Sequence, residues 1–115
     1  MSIDFCIADT INEAAKSSRY VAFEEEVHEF LIKEEKFYVR KKNKESKNLD
    51  LLLGLDPYGD KIFNDQEIKE LIRICEYIIY NFKNDFNELY IISVELKELC
   101  LNALDKGKQI VAVGD

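Results

Sequence analysis

Two long stretches near the C-terminal half of the chain carry the clearest hydrophobic rhythm. Ile68, Leu71, Ile72, Cys75, Ile78, Ile79 and Phe82 recur at spacings of three and four, with Lys69, Glu70, Arg73 and Glu76 on the opposite face. That period predicts an amphipathic helix over about 65–83. Asn64 with Glu67 three residues on has the spacing of a capping box, and Phe63 with Ile68 that of a hydrophobic staple. A second helix is predicted over about 86–105 from Phe86, Leu89, Ile92, Leu96, Leu99, Cys100 and Ala103, with Asp85 and Glu88 repeating the capping spacing and Gly107 as its stop. Ile91 and Val94 widen its apolar surface. The short link NFKND between the two favours an antiparallel hairpin.

The ends of the chain read differently. SIDFCIA (2–8) and IVAV (110–113) are short, apolar and rich in strand formers. Their pairing would tie the ends together in a two- or three-stranded sheet. TINEAAKSSR is polar and fits one helical turn or a loop equally well. Phe23, Val27, Phe30 and Leu31 predict a helix over about 24–34 after a short extended piece at 20–23. KFYVR (36–40) has the composition of a brief strand, 41–48 of a charged loop, and NLDLLLG of a short helix capped by Asn48 and closed by Gly54. The expected fold is α+β, one domain over residues 1–115: a helix hairpin against a small sheet.

Composition supports a globular chain: 115 residues, 47% apolar and 34% charged. No apolar run approaches the ~20 residues of a membrane span. MSIDFCIADT has no basic n-region, so it reads as a cytoplasmic start and not as a secretory signal. Cys6, Cys75 and Cys100 are odd in number and show no paired-cysteine spacing, which disfavours zinc and predicts buried reduced thiols. The net charge of −7 is uneven: segment 33–47 is +4 and the remainder −11. An acidic body repels nucleic acid and attracts basic partners. The basic segment reads as a solvated loop, with a phosphate or partner contact as the other reading.

Little points to catalysis. His28 is the only histidine, no nucleophile motif accompanies it, and the glycines form no phosphate loop. No cofactor or metal is expected. One oxygen-rich stretch, LDPYGDKIFNDQE, raises calcium as a second reading. Asp56, Asp60, Asn64 and Glu67 fall at positions 1, 5, 9 and 12 of a twelve-residue loop. Against it, Lys61 stands where that loop requires glycine, Tyr58 stands at position 3 and Pro57 at position 2. Pro-Tyr-Gly favours a tight reversal that would display Asp56, Tyr58 and Asp60.

The order of these segments resembles a known group. An N-terminal strand ending in IAD is followed by TINEA, VAFEEEVHEFLI and LDPYGDKIFNDQEIKELI. A second helix and a closing strand with Gly114–Asp115 complete it. This resembles the small immunity proteins of bacterial contact-dependent growth inhibition and related polymorphic toxin systems. The resemblance implies a non-enzymatic cytoplasmic protein that binds the C-terminal domain of one cognate toxin, often a basic nuclease, and blocks it. The charge pattern fits: acids on a rigid surface speed encounter with a basic protein. The candidate contacts are Glu24, Glu25, Glu26 and Glu29 on the first long helix, with Asp56, Tyr58 and Asp60 in the turn.

Overall fold

The structure, a computed structural model, describes residues 2–17, 19–41, 50–56, 58–82 and 86–114, the side chains of 34–41 and 50 excepted. Four strands, β1 (Ser2–Ile7), β2 (Val21–Glu24), β3 (Asp60–Phe63) and β4 (Ile110–Gly114), form one antiparallel sheet in the order β2-β1-β4-β3. The helices are α1 (Ile11–Ala15), α2 (Glu25–Lys41), α3 (Asp50–Leu53), α4 (Asp65–Phe82) and α5 (Asn87–Lys106). The α+β class and the α4–α5 hairpin are as the sequence predicts.

β1 and β4 do pair, with Ile3 opposite Gly114 and Ile7 opposite Ile110. The sheet is wider than expected because both flanking strands were too short to stand out. β2 is the extended piece before the long helix. β3 falls in the stretch whose cap chemistry predicts only a helix start. It pairs Asp60 with Val113 and Phe63 with Ile110.

Strand alternation sorts the sheet into two faces. Ile3, Phe5, Phe23, Phe63, Ile110 and Ala112 point to the main core, with Val27, Leu31, Leu52, Ile68, Leu71, Ile74, Ile78, Leu89 and Leu96 from the helices. Cys6, Ala8 and Val111 point the other way, into a small second cluster closed by Ala14 of α1. Thr10 caps α1, its Oγ1 accepting from the Glu13 amide at 3.0 Å. Lys108 then ties α1 to the end of α5 by an ion pair to Glu13 at 2.9 Å.

Local chemistry sets the helix ends. The Glu67 amide donates to Asn64 Oδ1 at 2.9 Å and the Asn64 amide to Glu67 Oε1 at 3.1 Å, so the capping box at α4 is complete. At the start of α5 the N-cap is Phe86, with no side-chain cap bond; Asp85 and Asn48 lie outside the described residues. Gly107 ends α5 at φ +67°, with its amide donating to Leu104 O at 3.2 Å and the Lys108 amide to Ala103 O at 2.9 Å. That is a Schellman stop, where glycine carries no Cβ penalty.

One expectation is overturned. KFYVR is not a strand: α2 runs on through Lys41, seven residues beyond the predicted end. Extending an existing helix adds a hydrogen bond without a new nucleus, which outweighs the strand preference of Phe37, Tyr38 and Val39. The first part of the basic segment is therefore helical; the stretch 42–49 lies outside the described residues. Phe30 anchors α2 to the hairpin tip, 4.8 Å from Phe86 and 6.1 Å from Phe82 between ring centroids.

Candidate functional site

The register places the predicted acids. Glu24 lies opposite Ser2, Asp4 opposite both Ala22 and Val113, and Asp60 opposite Val113. Paired residues share a face, so Asp4, Glu24 and Asp60 all project from the face away from the main core. Among the described residues α1 supplies the cover on that face, and it packs over Cys6, Ala8 and Val111. The acids stand beyond it, at the opposite end of the strands. Asp4 and Glu24 are diagonal neighbours, about 7–8 Å apart in such a ladder. Asp60 is two strands from Asp4, about 10 Å.

The remaining predicted residues gather at the same end. α2 starts where β2 stops, so Glu25 and Glu26 follow Glu24 directly, with Glu29 one turn in; all three are exposed. Val27 and Leu31 are buried and hold that helix to the core. On the other side of the sheet the turn before β3 presents Asp56 and Tyr58. The Tyr58 amide donates to Asp56 Oδ1 at 2.9 Å, and the Gly59 amide to Asp56 O at 3.1 Å. A Cβ at Gly59 would sit 3.1 Å from Asp56 Oδ2, so the tight turn favours glycine there. The Gly114 amide donates to Gly59 O at 2.9 Å and fastens the turn to β4. Tyr58 is left 69% exposed on this fixed support.

All seven predicted contact residues thus lie at one end of the sheet, four on the β2–α2 side and three on the β3 side. Sequence reasoning missed what lies between. Asp4 joins the two groups, while Ala22 and Val113 keep the surface low and Ile62, 37% exposed, adds an apolar spot. The polar Ser2 and Asp4 alternating with Ile3 and Phe5 carried the signal for Asp4.

The oxygen-rich loop is differently employed. Asp60 is a strand residue whose Oδ1 accepts from the Gly114 amide at 3.3 Å. Asn64 and Glu67 bind each other's backbone, and Lys61 Nζ lies 2.8 Å from Glu67 Oε2. A cation at the carboxylate that would be the bidentate calcium ligand opposes that role. Among the described residues no three His, Cys, Asp or Glu side chains gather to hold a metal.

His28 Nε2 lies 3.3 Å from Leu53 O. A carbonyl only accepts, so this bond needs the proton on Nε2; it ties α2 to α3, with Phe23 edge-on to the ring at 5.8 Å. The three cysteines are free and buried, as predicted. Burial pushes the Cys100 thiol up to about 12. Burial, then the neighbouring Cys100, also raises Cys75, and burial followed by the Asp4 and Glu13 charges raises Cys6. Thiols so held stay protonated and poorly nucleophilic. Among the described residues no helix is long and apolar enough to cross a membrane.

The fold and this surface define an α+β protein with an acidic, partly uncovered sheet face. Comparison with family models, curated proteins and solved structures gives no match for the chain.

Proposed function

We propose that the acidic end of the sheet captures a basic protein, and that the chain is an immunity protein occluding the active site of a cognate bacterial toxin domain. The observation that carries the reading is the convergence of Asp4, Glu24 and Asp60 on one face that no described element covers at that end, flanked by the Asp56–Tyr58 turn and the acidic start of α2. Several fixed carboxylates on a sheet steer a cationic partner and repel phosphate backbones. Tyr58 supplies a rigid aromatic contact with little entropy to lose. The protein acts by binding and carries out no reaction of its own, with no cofactor and no direct contact with nucleic acid. The toxin assignment rests on the resemblance of the sequence to immunity proteins.

The test is co-expression with candidate bacterial toxin domains, beginning with any encoded beside this protein. The wild type should restore growth and co-purify with the toxin domain. Glu24→Lys with Asp60→Lys should weaken that complex by about a hundredfold, the scale of losing two close charge pairs. Equal capture by the double variant, or turnover of a substrate by the purified protein alone, would sink the reading.

A further inference from the structure

A cavity of about 600 Å³ opens at the other end of the strands, between α5 and the connection from α1 to β2. Its floor is apolar, made by Ile7, Val21 and Leu99. Tyr20, 58% exposed, stands at its side. Its rim holds Lys16, Arg19, Lys106 and Lys108. The chain has only nine basic residues outside segment 33–47, so four at one cavity is a concentration.

Three of these four cations are left without an ion pair among the described residues. Lys61, Arg73 and Lys97 are each held by a glutamate, at 2.8, 3.0 and 3.2 Å. Lys108 is held by Glu13. Lys16, Arg19 and Lys106 form no ion pair among the described residues, although Glu95 and Glu98 line the same cavity. Arg19 is also presented on a fixed backbone. The Ser17 hydroxyl donates to Arg19 O at 2.9 Å, and the Arg19 amide lies 3.3 Å from Ser17 Oγ. Across the space α5 offers Glu95, Glu98 and Asn102, acceptors for a ligand's amino or hydroxyl groups.

We propose that this cavity binds a small organic anion of mononucleotide size. Its phosphate or carboxylate lies against Arg19, Lys16 and Lys106, its planar body over the apolar floor beside Tyr20, and its donor groups toward Glu95 and Glu98. Guanidinium and ammonium groups are the ordinary partners of such anions, and the volume lies in the range of small-molecule sites. This site is at the opposite end of the sheet from the acidic face, so it stands or falls independently of any protein partner.

The probes are adenosine monophosphate, adenosine and inorganic phosphate, titrated to millimolar concentration into the isotope-labelled protein and followed by amide chemical shifts. Adenosine monophosphate should move the amides of Arg19, Tyr20, Leu99 and Asn102. Adenosine and phosphate should each bind about tenfold more weakly or worse, since each lacks one half of the recognition. The variant Arg19→Glu with Lys106→Glu should lose about tenfold or more in affinity for adenosine monophosphate while staying folded, both side chains being exposed, with the melting temperature lowered by no more than a few degrees through the charge reversal at the end of α5. No shifts at these amides with any probe, adenosine binding as well as its monophosphate, or full affinity in the folded double variant would each overturn the proposal.

Discussion

At the scale of single residues, the capping box of α4 links local sequence to stability. Asn64→Ala leaves the Glu67 amide without its acceptor and should cost about 1 kcal/mol, a melting-temperature drop of about 4 °C for a chain of this size. Glu67 adds a pH dependence. Its carboxyl is held below the ordinary carboxylate range chiefly by the hydrogen bond from Lys61; burial opposes this, and the Asn64 amide and the Lys61 charge add smaller lowering effects. The folded protein therefore binds the Glu67 proton less readily than the unfolded chain. Its contribution is complete above the unfolded value of about 4.3 and is lost as pH falls through the folded value. A partly exposed pair of this kind contributes about 0.5 kcal/mol. Glu67→Gln should melt lower than wild type at neutral pH, and the gap should close below about pH 4. A gap that persists in acid would show that packing, not charge, is responsible.

Residue scale is also where the sequence was most readable. The Asn64–Glu67 and Gly107 signals are short-range chemistry, complete within a few positions, and both appear as predicted. The exposure of Glu25, Glu26, Glu29, Asp56 and Tyr58 was legible for a related reason, because acids off a helical stripe and residues of a tight turn are displayed, whereas Glu24 and Asp60 owe their place to β2 and β3. Asp4 escaped notice because its place depends on which face of β1 the helices cover, a tertiary fact.

At the scale of elements, the two flanking strands were missed for one cause. Periodicity recovered α4 and α5 almost to the residue, since eighteen and twenty positions give the pattern room to repeat. β2 and β3 have four residues each, too few to show alternation. Their identity comes from pairing with β1 and β4, which a local reading does not contain. The same topology ranks the strands in stability. β1 and β4 are each bonded on both sides, whereas β2 and β3 each have one partner. Native-state hydrogen exchange should find the slowest strand amides in Phe5, Cys6, Val111 and Ala112, and faster exchange in β2 and β3. Protection in β3 equal to that of β4 would mean that its outer edge is covered.

At the scale of the whole molecule, charge is distributed along the strand direction. The end where β2 stops and β3 begins carries Asp4, Glu24, Glu25, Glu26, Asp56 and Asp60, and the other end holds the rim of Lys16, Arg19, Lys106 and Lys108. Totals over the chain revealed the acidic excess but not this grouping, which only the fold creates: one end is acidic and the other mixed, its cations set among Asp9, Glu13, Glu95 and Glu98. If the acidic end meets a basic protein, association should slow steeply with salt, while dissociation changes little. Stopped-flow measurements with the proposed basic partner between about 50 and 500 mM salt, spanning Debye lengths from about 14 to about 4 Å, would read this directly. An association rate indifferent to salt would argue for an apolar interface instead.

The pairing of Ile3 with Gly114 has a practical outcome for anyone handling the molecule. Residues 2 and 114 lie close together next to Glu24 and Asp60, so an affinity tag or fluorescent protein joined at either position leaves from the edge of the proposed docking surface. A bulky fusion at either position should shield that surface, whereas a short flexible tether from the same point would hold a joined partner at millimolar effective concentration, about the value expected for short linkers.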